Sequence, residues 1–259
     1  MARLRAVVII GVFLLVTLVL MPWQWIANLF HFPWRRTFPQ SYHKFLCRVF
    51  GVRLKVIGTP LKNQGVLFVA NHTSWLDILI FSAVAPISFV AKAEVARWPL
   101  FGTLARLQRT VFIERDRRAQ TGEARDQIRE RLMQGDGLIL FPEGTSNDGN
   151  YVLPFKSALM GAAEATLADG RHVPVQPVCA AYVGSHGLPM GRENRPFYAW
   201  YGDMGMVPHL WEALLAGPLD VTVEFFEPMS LDHMNRKELA QAAQAIVRDG
   251  MARAIAGRS

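Results

Sequence analysis

The chain has 259 residues, 51% of them apolar, and a formal net charge of +7. That length buries a full core and fits one domain with an appendage. Its two cysteines, Cys47 and Cys179, form no zinc, redox or disulfide pattern, which favours a reducing compartment. The positive charge points to an anionic partner: nucleic acid, an acidic membrane surface or a phosphorylated substrate.

Ala6 to Trp34 contains no Asp, Glu, Lys or Arg. Ala6 to Met21 is apolar enough for a membrane helix, though slightly short for a full span. Pro22 interrupts the run, and Trp23, Trp25 and Trp34 follow as residues that settle at headgroup level. A secretory signal peptide fits the start, with Arg3 and Arg5, but no small-x-small cleavage site follows Met21. A single spanning helix and a helical hairpin dipping into one leaflet, its second arm from Trp23 to Trp34, both fit. Arg35, Arg36, Lys44, Arg48, Arg53 and Lys55 outweigh the basic residues ahead of the segment. The main domain is therefore expected on the cytoplasmic side of the cell inner membrane. Residues 1–39 read as the anchor and 40–259 as one domain.

In that domain, strands are predicted at Arg53–Ile57, Val66–Ala70, Ile87–Ala91, Thr110–Ile113, Gly137–Phe141, Val173–Tyr182, Pro196–Tyr201 and Val221–Phe226. Helical patterns alternate with them. Thr121 to Gln134 carries Ile128 and Leu132 on one face and ends at Gly135. Ser157–Asp169 is Ala-rich and reads as a helix on the sheet. The last helix starts at Asn235, with Glu238 completing a capping box, and runs towards Ile255. The alternation predicts an α/β fold with a largely parallel mixed sheet flanked by helices.

Chemistry concentrates where buried strands end. After Val66–Ala70 comes Asn71-His72-Thr73-Ser74-Trp75-Leu76-Asp77, which puts an imidazole between a strand and a helix, where ligands bind in open α/β sheets. Ser74 and Asp77 alone also make a helix capping box. Gly137–Phe141 ends in Pro142-Glu143-Gly144-Thr145-Ser146, where Gly144 permits close backbone approach and Glu143 offers an acceptor; an ordinary turn reads the same way. Val111–Ile113 runs into Glu114-Arg115, and an arginine so placed holds a phosphate bidentately. Lys92 and Lys156 are further phosphate candidates, with snorkelling surface lysines as the plain alternative. Val173-Pro174-Val175-Gln176-Pro177 suits an edge strand or a bulge, because proline withholds ladder donors.

Taken in order, these four stretches closely resemble the sequence blocks of the 1-acylglycerol-3-phosphate O-acyltransferase family of glycerolipid acyltransferases, over roughly residues 50 to 185. The resemblance implies transfer of a fatty acyl group from an acyl carrier protein or coenzyme A thioester to a lysophospholipid hydroxyl at a membrane, giving phosphatidic acid from 1-acylglycerol 3-phosphate. It implies His72 as general base, Asp77 as its orienting partner, Arg115 on the acceptor phosphate, and Glu143, Gly144 and Thr145 at the acceptor. No metal or bound cofactor is implied. Glu114, Ser146 and Gln176 stand where the blocks usually carry aspartate, arginine and an aliphatic residue. Acylation of another lyso-lipid, such as a lyso-ornithine lipid, is the near alternative. A membrane-bound esterase would need a nucleophile, and no Gly-x-Ser-x-Gly elbow occurs. A non-catalytic basic binding module is the remaining class, but the charges lack the aromatic interleaving of a nucleic-acid binder, so no nucleic-acid partner is expected.

Overall fold

Val66-Leu67-Phe68-Val69-Ala70 carries no polar side chain and forms strand β2, buried along its whole length. A strand apolar on both faces needs a covering layer on each side, and helices supply both. The computed structural model describes residues 1–113, 118–167 and 170–258. Its sheet runs in the spatial order β1 (Val52–Ile57), β8 (Leu219–Phe225), β6 (Val175–Ser185), β2, β5 (Gly137–Leu140), β3 (Ile87–Lys92) and β4 (Val111–Ile113). The two-residue β7 (Leu188–Pro189) pairs with β6. Neighbours are parallel except where β6 meets β8 and β7. On one face lie α1 (Ala2–Leu29), α2 (Phe38–Phe50), α3 (Leu76–Val84) and α6 (Met206–Ala216), with α4 (Phe101–Leu107) beside α1. The other face carries α5 (Arg118–Met133), a 3-10 segment at Ser157–Glu164 and α7 (Arg236–Ile255). This is the α/β class that the alternation predicts.

The N-terminal segment differs from the interrupted pattern. One continuous helix of 28 residues passes through Pro22, about 42 Å long at about 1.5 Å per residue. It is long and apolar enough to cross a membrane, yet it is tied to the domain along its length. Arg5 donates to the Leu214 carbonyl at 2.8 Å, Thr17 and Tyr42 share a hydroxyl bond of 2.6 Å, and Asn28 donates to the Leu107 carbonyl at 2.8 Å. Ala6, Ile9 and Phe13 enter the core, while Leu4, Val7, Leu15, Leu18 and Trp25 on the outer face are exposed.

Three further expectations need correction. Pro196–Tyr201 is no strand: Arg195–Phe197 is a 3-10 turn, and Trp200 donates its N–H to the Thr73 carbonyl at 3.0 Å. Ser157–Glu164 is 3-10 rather than α-helical, and Asp169 lies outside the described residues. The proline-bearing β6 is central, between β2 and β8, not an edge. It tolerates Pro177 because odd-numbered residues there face away from β2: Val175 donates to Met229 and Pro177 accepts from Phe226. The missing Pro177 donor thus falls opposite Phe226, just past the end of β8, and the Phe226 carbonyl accepts from the Gln176 side-chain amide at 2.9 Å instead.

Candidate active site

Asn71 and His72 leave the carboxyl end of β2, and each has its own task. The Asn71 side chain stitches that end to β6, donating to the Ala180 carbonyl and accepting from the Ala180 N–H, both at 2.9 Å. His72 turns its Nδ1 to Asp77 Oδ2 at 2.8 Å. The carboxylate fixes the proton on Nδ1 and leaves the lone pair on Nε2. The ring stacks on Phe141, with centroids 4.2 Å apart, and stays partly exposed in a cavity wall. Asp77, in the first turn of α3, is fully buried. Its Oδ2 also accepts from the Thr73 and Ser74 N–H groups at 2.7 and 3.0 Å. Asp77 therefore serves as the reciprocal acid of a cap and as the orienter of His72 at once, whereas the Ser74 side chain makes no cap bond to the helix. Because Asp77 holds them, the Thr73 and Ser74 N–H groups do not serve as oxyanion donors.

Sequence reasoning missed the fourth partner. Tyr182, on β6, donates its hydroxyl to Asp77 Oδ1 at 2.8 Å, and both groups are buried. Burial first, and then the adjacent Asp77 charge, push the Tyr182 phenol well above its ordinary range, so it stays a donor. Hydrogen bonds to charged groups contribute about 1.5–3 kcal/mol, so Tyr182→Phe is expected to lower kcat about tenfold or more with KM little changed. Steady-state kinetics on the folded variant check this, and an unaltered kcat would remove Tyr182 from the relay.

Glu143 is placed behind the site. Its Oε1 accepts the His72 N–H at 2.8 Å, and its Oε2 accepts from the Asn147 side chain and the Leu153 N–H, both at 2.9 Å. Only 1% exposed, it clamps the His72 backbone to the loop after β5. Asn147 completes the clamp by donating its N–H to the His72 carbonyl at 3.3 Å. Burial raises the Glu143 carboxyl from 4.5 to about 8, against the lowering effect of these donors. The folded protein thus keeps a proton that the unfolded chain releases, so stability falls as pH rises from about 4.5 to about 8. Glu143→Gln cannot ionise and is expected to flatten that decline in a series of thermal melts.

Gly144, at φ +77°, and Thr145 line the same cavity as His72. Lys92, exposed at the end of β3, also lines it. Lys156 is exposed at the start of the 3-10 segment and is not part of the lining. Arg115 lies outside the described residues, as does Glu114. The cavity holds about 370 Å³ and is walled mostly by apolar side chains, among them Phe89, Phe101 and Leu104, with Thr17 and Gln24 contributed by α1. The other two unusual block residues, Ser146 and Gln176, bond to the protein's own backbone. Ser146 donates its hydroxyl to the Trp200 carbonyl, and Gln176 joins Thr59, Leu61 and Phe226 near the start of β6, away from His72.

Residues 53–181 match the sequence profile of the Acyltransferase family. The chain is 42% identical to a lyso-ornithine lipid O-acyltransferase of Brucella abortus, over 98% of this chain and 97% of that protein. It is 37% identical to a 1-acyl-sn-glycerol-3-phosphate acyltransferase of Neisseria meningitidis, over 64% of this chain and 61% of that one. The crystal structure of the acyltransferase PlsC from Thermotoga maritima shares the fold, with a TM-score of 0.68 at 23% identity and 97% of each chain covered. Together these likenesses mean that the chain belongs to the acyltransferase family and is an O-acyltransferase.

Proposed function

We propose that the enzyme moves a fatty acyl group from an acyl thioester, on acyl carrier protein or coenzyme A, to the hydroxyl of a lyso-ornithine lipid. The observation that carries the chemistry is the His72–Asp77 pair in the wall of an apolar cavity. Nε2 of His72 takes the acceptor's hydroxyl proton as the oxygen attacks the thioester carbonyl. Asp77 holds the tautomer and balances the imidazolium. The tetrahedral intermediate collapses by breaking the C–S bond, and the imidazolium returns its proton to the leaving thiolate. No acyl-enzyme is needed, because the acceptor oxygen is the nucleophile.

The acceptor reading rests on the full-length likeness to the Brucella protein and a second one to a lyso-ornithine lipid O-acyltransferase of Rhizobium meliloti, 43% identical over 95% of this chain. It is supported by Ser146, which supplies a hydroxyl bound to Trp200 where a phosphate-binding arginine is usual. It replaces 1-acylglycerol 3-phosphate as the first choice; that acceptor stays the second reading, on the Neisseria likeness. Purified enzyme given labelled acyl carrier protein thioester and equal amounts of both acceptors tests this. Label in ornithine lipid is the expected result, and label in phosphatidate alone would overturn it.

Membrane association follows from α1. Its outer face is an exposed apolar stripe and its inner face is fixed to the domain, so the helix is proposed to lie along one leaflet of the inner membrane from the cytoplasmic side. His72 then receives the lyso-lipid acceptor without its leaving the bilayer surface.

A further inference from the structure

The region around Asp136, at the end of the strands opposite His72, holds more positive than negative charge among the described residues. Asp136, just ahead of β5, is buried and ion-paired to Arg36 and Arg109 at 2.8 Å and also to Arg131. Three guanidiniums on one carboxylate leave two charges that Asp136 itself does not balance. Arg35 adds another: it is partly buried and, though within the field of Asp136, makes no direct ion pair among the described residues. Burial first, then the Arg109 and Arg36 charges, hold its pKa below the ordinary arginine value. Arg109 also sits at φ +61°, a strained conformation for a residue with a side chain.

Arg35, Arg36, Arg109 and Arg131, with Arg106 at the rim, line an open polar cavity of about 800 Å³. Glu130 in its wall is engaged by the Gln134 amide. The cavity opens at the starts of β3 and β4, since Arg131 bonds Ser88 at 3.0 Å and Val111 lines it. His72 follows the opposite ends of the strands, so this is not the acceptor's place in the reaction. Asn28 and His31 from the end of α1 complete the wall, beside exposed Trp25, Leu29, Phe30 and Phe32.

We propose that this cavity binds the phosphate of an anionic bilayer lipid that is not a substrate. The surplus guanidinium charge suits a phosphate, Arg35 offers a fork that no hydrogen bond among the described residues occupies, and the neighbouring aromatic stripe sets the cavity at headgroup depth. A free phosphate would satisfy the arginines but would not account for their place beside that stripe. The proposal rests on the reading of α1 as lying in a leaflet.

The test is flotation of the full chain, diluted from detergent, with vesicles of phosphatidylcholine alone or mixed with phosphatidylglycerol. Arg35→Gln/Arg106→Gln removes two lining charges that do not pair with Asp136, and is expected to lose about tenfold or more of the added affinity for anionic vesicles. Arg35→Lys/Arg106→Lys keeps the charges without the forks and is expected to restore part of the gain. Lys237→Gln/Arg248→Gln, on α7 in the opposite layer, leaves the gain in place. Equal loss in both neutralised pairs, or none in the first, would overturn the site. Thermal stabilisation by inorganic phosphate in wild type but not in the first pair would assign the cavity to a free anion and overturn the lipid occupant. Failure on phosphatidylcholine with retained, Arg35-dependent binding to the anionic vesicles would overturn the reading of α1 and keep the site. Binding to neither vesicle overturns both.

Discussion

His72→Ala is expected to lower turnover by about 10²–10⁴-fold while leaving the fold intact. The loss is large because the acceptor hydroxyl is a poor nucleophile, and no other base is set beside the Asp77 carboxylate among the described residues. The fold survives because the ring contributes little to packing: it is partly exposed and stacks on one face of Phe141. Asp77 also keeps its bonds to Thr73, Ser74 and Tyr182. Initial rates with an acyl thioester, beside circular-dichroism melts, separate the two effects. Full activity in a folded variant would sink the general-base assignment.

Glu143→Ala should do the opposite, damaging the fold first and activity as a consequence. Its removal strands three donors: the His72 N–H, the Asn147 amide and the Leu153 N–H. An orphaned buried donor costs about 1–3 kcal/mol, so a loss of about 3 kcal/mol or more follows. At about 2–4 °C per kcal/mol for a domain of this size, Tm drops by about 6–12 °C or more. Activity falls with it even well below the new Tm, because the backbone under His72 is no longer held. A melt matching wild type would show that the clamp carries no stability. Glu143→Gln, which keeps one carbonyl acceptor, should lie between the two.

Much of the frame was legible because local signals agreed. The continuous apolar run of β2 ends where the structure ends it, and the Asn235–Glu238 capping box forms with both reciprocal bonds. His72 and Asp77 were legible as a pair because five residues of local chain bring them together. Tyr182 was not, since its partner is 105 residues away and only the β6–β2 pairing brings the two close. Glu143 was legible as an acceptor at the end of β5, but its bond to the His72 backbone was not, since the pairing of β2 with β5 brings the two together. α2 escaped notice although Pro39 in its first turn and Gly51 just beyond its end mark both boundaries. The strand expected at Pro196–Tyr201 failed because its apolar residues alternate no better than a brace would, and bracing the Thr73 carbonyl is what the segment does.

α1 walls the cavity with Thr17, Leu20, Met21 and Gln24 while its other side stays apolar and exposed. Trimming the chain to a water-soluble fragment from α2 onward would therefore not free an intact catalyst from its mooring. It would strip Ala6, Ile9 and Phe13 from the core and open the cavity beside His72 to water along one side. Attachment and catalysis share one helix, so a soluble version calls for repainting the outward face of α1 with polar side chains rather than cutting it away.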